Sequence, residues 1–273
     1  MKISAEIGDR RYTVDLQAAR PIAIPLDFSG PQPNHFGVSR AAQSAVEAGE
    51  FVGDTRRGGS CNVARLSLIP HCNGTHTESV GHIVDERLPV GSLAATALFP
   101  AILVTVPVVE ARGTDESYRP EPDHHDWLMT RRDLATAVEP LRPFPAEALV
   151  IRTRPNREEK KTLAWGDDRQ PAFLTMEAMR WIVDQGFDHL LLDMPSVDKM
   201  YDEGLLTNHH IFWNVPEGTH QQTPTTAGHR TITEMVFVED EIADGRYLLN
   251  LQFAAFQSDA APSRPILFPL TES

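Results

Sequence analysis

The chain has 273 residues, 41% of them hydrophobic and 23% charged, a composition typical of a globular protein and too apolar for a disordered one. Its formal net charge of -13 repels phosphate backbones, so we expect no nucleic-acid partner. The two cysteines, Cys61 and Cys72, are too few for a disulfide scaffold. No segment approaches the roughly 20 apolar residues of a membrane span, and the N-terminus lacks the apolar core of a signal peptide. We therefore expect a cytoplasmic protein that forms one domain, residues 1–273, and does not bind membranes.

The first part of the chain is predicted to be mostly extended. Residues 1–16 alternate polar and apolar side chains around Gly8-Asp9, which predicts a β-hairpin. Further strands are predicted at 21–28 and 63–70, and one or two helical turns at 40–49.

The second part predicts alternating strands and helices. Continuous runs of Val, Ile and Leu are typical of strands buried on both faces, whereas apolar residues at helical spacing predict helices. The order strand, helix, strand then indicates an α/β protein. The predicted elements are strands at 97–109, 147–153 and 187–198, helices near 131–139 and at 174–186, and two strands around the turn dipeptide Asp244-Gly245.

A His-rich segment follows the strand predicted at 63–70. In an extended chain, residues of equal parity share one face, so Cys72, His76, Glu78 and His82 are expected to converge, with Gly74 allowing a close approach of the backbone. A thiol, two imidazoles and a carboxylate are the donors that Zn²⁺ accepts.

Two alternatives to this site stay open. His71 has the opposite parity, so it ranks below Cys72 as a ligand unless an irregular residue interrupts the strand. A solvated loop rich in His, Thr and Asn needs no metal, and on this segment alone the two interpretations carry equal weight.

The segment resembles the signature of the cyclase family of metal-dependent hydrolases, which includes bacterial kynurenine formamidase and isatin hydrolase. That signature runs His-x-Gly-Thr-His-x-Asp, usually Ala-Pro, any residue, and His. The matching residues are Gly74, Thr75, His76 and His82. The departures are Cys72 for the first His, Glu78 for Asp, and Ser79-Val80 for Ala-Pro.

Three later features occur in the family's order. A strand ending in Asp193 precedes Pro195-Ser196-Val197-Asp198, a His-His pair follows at 209–210, and Glu234 lies in an apolar strand. We interpret Asp193 and Asp198 as turn-forming carboxylates, and His210 as a core residue or a neighbour of the ligands.

Residues 214–229 form an insertion that the usual family spacing lacks. A role for His220 and His229 at the entrance of the site stays open.

The resemblance implies an α/β fold: a single domain with a mixed, largely β core flanked by helices, of the family's swivelling β/β/α type. It also implies a homodimer or homotetramer and a metal centre with one or two zinc ions, manganese being the alternative. One ion would bind to Cys72, His76 and Glu78, and a second to Glu78, His209 and Glu234. His82 has no ligand role there and is the candidate general base or proton shuttle.

The activity that the resemblance implies is hydrolysis of a small amide, formamide or lactam by metal-activated water. An aryl formamide such as N-formylkynurenine is the candidate substrate. The substitutions at 72 and 78 keep a second hypothesis open, a degenerate family member that binds a small molecule or metal without turnover. A third is a metal-dependent cyclase or dehydratase, because one fold hosts several reactions.

Overall fold

The computed structural model describes residues 1–93 and 96–272. Most of the strands in these ranges are short, and the helices are few. The strands are β1 (Lys2–Ile7), β2 (Arg10–Asp15), β3 (Arg20–Pro21), β4 (Ala42–Ala45), β5 (Glu47–Ala48), β6 (Phe51–Val52), β7 (Ala64–Ser67), β8 (His76–Glu78), β9 (Leu98–Pro107), β10 (Val109–Glu110), β11 (Trp127–Met129), β12 (Ala148–Arg154), β13 (Phe173–Leu174), β14 (His189–Leu192), β15 (Thr231–Glu234), β16 (Gly245–Asn250), β17 (Ala260–Pro262) and β18 (Ile266–Glu272). The helices are α1 (Pro70–Asn73), α2 (Arg131–Val138), α3 (Met176–Asp184) and α4 (Thr207–Trp213).

A large mixed sheet runs through the molecule in the order β1-β2-β18-β16-β9-β12-β14-β15-β8-β17, with β3 paired to β18. Its centre is parallel, because β9, β12, β14 and β15 all run in one direction. Antiparallel strands complete both sides. Since β8, β17 and the end of β15 lie together at one side, side chains from three distant parts of the chain meet there.

The central strands are buried on both faces, as their continuous apolar sequences predict. In β12, Leu149 and Ile151 join one apolar cluster, whereas Ala148 and Val150 join another. α2, α3 and α4 pack on the first of these faces, for example through Met179 of α3. Each fully buried apolar side chain of this size contributes about 1.5–3 kcal/mol, so this layer fixes the scaffold on which the site stands.

Most predicted elements are confirmed. The N-terminal hairpin is β1 and β2, and the two apolar runs are β9 and β12. The predicted helices are α2 and α3, and β14 follows as expected. The mixed, largely β core flanked by helices is likewise confirmed.

Two predicted elements of the first part are wrong. Residues 40–49 are strands β4 and β5, not helical turns, because they carry no apolar stripe and pair with β7 and β6 instead. Gly49, with a φ of 59°, makes the turn. Of residues 21–28, only Pro21 lies in a strand; Pro21 and Pro25 lack the amide hydrogen that a ladder needs.

The two strands predicted in the final third are β15 and β16, and they pair with different neighbours. β15 pairs with β14 and β8, whereas β16 pairs with β9 and β18. Within the described residues, no helix has the length and apolar character needed to cross a membrane.

Candidate metal centre

Two neighbouring strands hold the buried half of the centre. The antiparallel register of β8 and β15 places His76 opposite Glu234. Glu78 lies two residues further along β8, so its side chain leaves the sheet on the same face as His76. All three residues are buried. His76 Nε2 lies 3.4 Å from Glu234 Oε2, so the strand register alone brings two predicted ligands together.

Helix α4 brings His209 to the same place. Asp198 accepts hydrogen bonds from the backbone amides of Asn208 and His209 at 2.6 and 3.3 Å, which satisfies free amides in the first turn of the helix. Asp198 also accepts a hydrogen bond from Nδ1 of His209. Because Nδ1 is held by Asp198, Nε2 is the ring nitrogen that faces the centre, and it lies 3.0 Å from Glu78 Oε1.

The side of the centre that faces solvent is formed by His71, His82 and Asp259, which are partly exposed. His71 Nε2 donates to Asp259 at 2.8 Å, and His71 Nδ1 lies 2.9 Å from Glu78 Oε2. His82 stacks on His71 with ring centroids 4.2 Å apart, and its Nε2 lies 4.0 Å from Glu78 Oε2. Since the remaining members are buried, a small molecule would reach the centre on this side.

Burial and charge act against each other throughout the cluster. Burial disfavours the charged form of Glu78, but His82 and His209 outweigh it and hold the pKa of Glu78 well below its usual range. Burial likewise opposes protonation of His209, yet Glu78 and Asp198 raise its pKa well above the ordinary value. For His71, the nearby carboxylates overcome burial and raise the pKa to about 10. The carboxylates of the centre therefore attract positive charge strongly, which without a metal is supplied by protons on the imidazoles.

The donor atoms fit a divalent cation. Within the described residues, His76 Nε2 and Glu78 Oε2 are buried without a hydrogen-bond partner, and His76 Nδ1 donates to the Gly74 carbonyl at 3.0 Å. His76 therefore presents the lone pair of Nε2, the arrangement usual for a metal-binding imidazole. Ligands about 2 Å from a tetrahedral zinc ion lie about 3.3 Å apart, close to the 2.9–4.0 Å separations observed here.

The predicted site residues come together with one exception. His76, Glu78, His82, His209 and Glu234 form one cluster. Cys72 is buried on α1 and contributes to none of the donor groups found among the described residues. Burial and the charge of Glu234 raise the pKa of its thiol to about 11. Ligation by Cys72 stays a prediction.

The parity argument is wrong upstream of His76. Residues Pro70–Asn73 are a helical turn rather than a strand, so His71 enters two of the donor groups. Its position beside the motif is the signal that could have identified it. Nothing in the sequence indicated Asp259, because a short strand 180 residues further along the chain carries no motif.

Asp198 does more than its interpretation as a turn-forming carboxylate implied, since it also orients the ring of His209. Asp193 keeps a structural role: it accepts hydrogen bonds from Thr153 and pairs with Lys160 Nζ at 2.8 Å.

The 214–229 insertion covers the turn that carries His82. His220 Nδ1 donates to the Ile83 carbonyl at 2.9 Å, and the His220 carbonyl accepts from the amide of Asp85. His229 instead pairs with Asp188 on the surface. Of the two histidines proposed for the entrance, only His220 is therefore near the centre.

A buried histidine outside the motifs lies beside this cluster. The backbone amide of His35 donates to the Cys72 carbonyl at 3.0 Å, and neither of its ring nitrogens has a hydrogen-bond partner among the described residues. Burial and the charge of His76 lower the pKa of His35 to about 4, so this imidazole is neutral near pH 7.

The mixed sheet and the buried cluster of imidazoles and carboxylates define the class: an α/β protein with a site suited to a divalent metal. Residues 11–199 match the model of the Cyclase family, described as "Putative cyclase". The chain belongs to this family, and the resemblance given by its motifs is confirmed.

Individual relatives agree with this membership. A kynurenine formamidase of Bacillus thuringiensis (strain Al Hakam) is 26% identical over 214 residues, 78% of this chain and 82% of that protein. Isatin hydrolase A from Labrenzia aggregata, solved with benzyl benzoate bound, is 17% identical, with a TM-score of 0.62 over 92% of this chain and 94% of that one. A Bacillus stearothermophilus structure described as a "predicted metal-dependent hydrolase" is 16% identical, with a TM-score of 0.58 over 92% and 97%. The structural likenesses establish the shared fold, and the relatives' names agree with the predicted enzyme class, a hydrolase acting on C–N bonds.

Proposed function

We propose that this chain is a metal-dependent hydrolase that cleaves the C–N bond of a small amide, formamide or lactam. The observation that carries the proposal is the buried donor cluster of His76, Glu78, His209 and Glu234. Two buried carboxylates and two buried imidazoles lie together here, and His76 Nε2 and Glu78 Oε2 have no hydrogen-bond partner among the described residues. Buried polar atoms left unpaired are costly, and a partner cation removes that cost. The names of the relatives support the reaction class.

His76, Glu78, His209 and Glu234 would hold the metal. A bound divalent ion supplies a water of lowered pKa and polarises a carbonyl group. Around it, Asp198 holds Nδ1–H of His209 and the Gly74 carbonyl holds Nδ1–H of His76, so that Nε2 of each ring would face the ion. These contacts let the imidazoles act as ligands without rearrangement.

His82 is proposed to move the proton. It is partly exposed, is held on a short turn of residues 80–82, and lies within 4.0 Å of Glu78. An imidazole there can accept a proton from water and pass it to a leaving nitrogen, since its ordinary pKa is near neutrality.

The number of ions is proposed to be one or two, with zinc first and manganese as the alternative. The two carboxylate oxygens of Glu78 face different partners, Oε1 toward His209 and Oε2 toward His71 and His82. A carboxylate in this arrangement can bridge two ions.

The proposed substrate is an aryl formamide such as N-formylkynurenine. Zinc-loaded protein should hydrolyse N-formylkynurenine, an anilide formamide or isatin, followed by the absorbance of the released product. Replacing Glu78 by Gln should remove metal and activity together, while the exposed control Glu121→Gln should keep both. Two results together would instead identify a non-catalytic binding protein. The zinc-loaded protein would hydrolyse none of these compounds, and its binding of a ligand would survive Glu78→Gln.

We also propose a homodimer or homotetramer in the cytoplasm. Large apolar side chains that are exposed on β6 and β7, or directly beside β7, support self-association. They are Phe51 on β6, Leu66 on β7, and Val63 and Ile69 beside β7. Sedimentation equilibrium should give a mass at least twice 30.4 kDa; a monomer at micromolar concentration would contradict this.

A further inference from the structure

The short helix α1 decides which side chain faces the donor cluster. Pro70 occupies its first turn, and Asn73 Oδ1 accepts the amide of Ile69 at 2.7 Å. Successive helical residues are rotated by about 100°, so His71 and Cys72 cannot point to the same place. The carbonyl of Cys72 is fixed as well, because it accepts the amide of His35.

His71 is the residue that faces the cluster. Its Nδ1 lies 2.9 Å from Glu78 Oε2, although that oxygen has no partner in hydrogen-bond geometry among the described residues. His71 Nδ1 and Glu78 Oε2 are therefore close but not aligned as donor and acceptor, which is how two ligands of one ion would be placed. The ring of His71 also lies edge-on to His76, with centroids 5.1 Å apart.

Asp259 holds the ring of His71 in this orientation. Oδ2 of Asp259 accepts the hydrogen bond from His71 Nε2 at 2.8 Å, which leaves Nδ1 as the ring nitrogen that faces the cluster. The backbone of Asp259 is anchored independently, because its carbonyl accepts the amide of Ser79 at 2.9 Å. A carboxylate behind a metal-binding imidazole is a recurrent arrangement that fixes the ring.

We propose that His71, oriented by Asp259, is the metal ligand that this chain uses in place of the first His of the family signature, whose aligned position is taken by Cys72. The inference rests on the proposed metal-dependent function and goes beyond it in naming the ligand. An imidazole leaves more positive charge on the ion than a thiolate does, so the ion keeps its strength as a Lewis acid.

Cobalt substitution tests the ligand directly. Co²⁺ bound to a thiolate shows an intense sulfur-to-metal absorption in the near ultraviolet, whereas Co²⁺ bound only to imidazole and carboxylate does not. The spectrum is recorded on full-length protein carrying Cys61→Ser, so that Cys72 is the only thiol left of the two. We expect Co²⁺ to bind without the sulfur band; a sulfur band that disappears on Cys72→Ser would overturn the inference while leaving the metal function intact.

Affinity measurements separate the two residues. Competition with a chelator should show a loss of at least 10-fold in zinc affinity for His71→Ala and 10–100-fold for Asp259→Asn, and less than 3-fold for Cys72→Ser. Asp259 is a positioning residue, so Asp259→Glu should restore part of the affinity. Unchanged affinity in His71→Ala would refute the inference, and wild-type protein that binds neither Zn²⁺ nor Co²⁺ would refute the proposed function itself.

Discussion

Glu78 is the residue on which the centre depends. It is fully buried, and its two oxygens contact imidazoles on opposite sides. Glu has one methylene more than the Asp of the family signature, so its carboxylate lies further from β8. From there the carboxylate of Glu78 reaches His71, His82 and His209. The substitution therefore changes how the ligands are spaced without removing the donor.

His82 can be separated from the metal ligands by mutation. We expect His82→Ala to lower kcat by about 10²–10⁴-fold, the range that general acid–base catalysis contributes, because the His82 ring lies on the solvent side of the centre within 4.0 Å of Glu78. Metal content, measured by atomic emission, should stay at the wild-type value. Loss of metal in the variant would make His82 a ligand and contradict the assignment.

Asp198 offers a test of tautomer control. In Asp198→Asn, one rotamer points the new NH₂ at the donating amide of Asn208, and the other points it at Nδ1–H of His209, where the ring keeps a hydrogen bond only by moving its proton to Nε2. The nitrogen that faces Glu78 at 3.0 Å then no longer offers a lone pair. We expect zinc affinity to fall at least 10–100-fold, measured by competition with a chelator.

Asp193→Asn is the matched control, because this aspartate lies in the same loop and does not contact the cluster. It leaves Lys160 buried without its charged partner, which should lower the free energy of unfolding by about 3–5 kcal/mol. Zinc affinity should not change. An equal loss of affinity in both variants would mean that Asp198 acts only through the fold of the loop.

At the scale of elements, the sequence predicts best where one local pattern decides the structure. β9, β12 and α3 follow from continuous apolar runs and a 3.6-residue period. Pairing between distant strands has no such signal. β8 lies between β15 and β17, and this placement brings Glu234 and Asp259 to the centre. Of these two residues, the sequence predicted only Glu234, through its motif.

The helical turn α1 shows why the sequence ranked His71 below Cys72. Parity holds only for extended chain, and Pro70 at the start of a turn breaks it. Asp259 gave no local signal at all. The motifs thus predict the donors on β8, β15 and α4 and also His82, whereas His71 and Asp259 follow only from the three-dimensional arrangement.

The two glycines of the motif should differ in their tolerance of a side chain. A Cβ on Gly81 would lie 2.6 Å from the Leu88 carbonyl oxygen, in the turn that carries His82. We expect Gly81→Ala to lower the free energy of unfolding by about 1–3 kcal/mol and to reduce activity as His82 shifts. Chemical denaturation and steady-state kinetics measure the two effects.

Gly74→Ala is the control in the same segment. Its φ of 164° is extended backbone, and an added Cβ would meet only Leu26 Cδ1, at 3.9 Å, among the described residues. The expectation that Gly74 lets the backbone approach an ion closely stays a prediction. The change should alter stability by no more than about 0.5 kcal/mol; a larger loss would show that an ion or substrate lies against this position.

At the scale of the whole molecule, the centre ties together parts of the chain that are far apart in sequence. Its donors come from residues 71–82, from α4, from β15 and from the start of β17. The other side of the sheet is closed by the two ends of the chain, β1 with β2 and β18. A cation in the centre would therefore connect several elements, so its removal should affect global stability.

Metal removal should lower the melting temperature. A ligand present at 100 times its Kd stabilises the native state by about 2.7 kcal/mol, and each kcal/mol shifts the Tm of a chain of this size by about 2–4 °C. We therefore expect zinc-loaded protein to melt roughly 5–10 °C above protein treated with a chelator, as measured by scanning calorimetry. Glu78→Gln is the control, and its Tm should not respond to zinc. Equal melting temperatures of loaded and stripped wild-type protein would mean that the buried carboxylates and imidazoles stabilise one another without a cation.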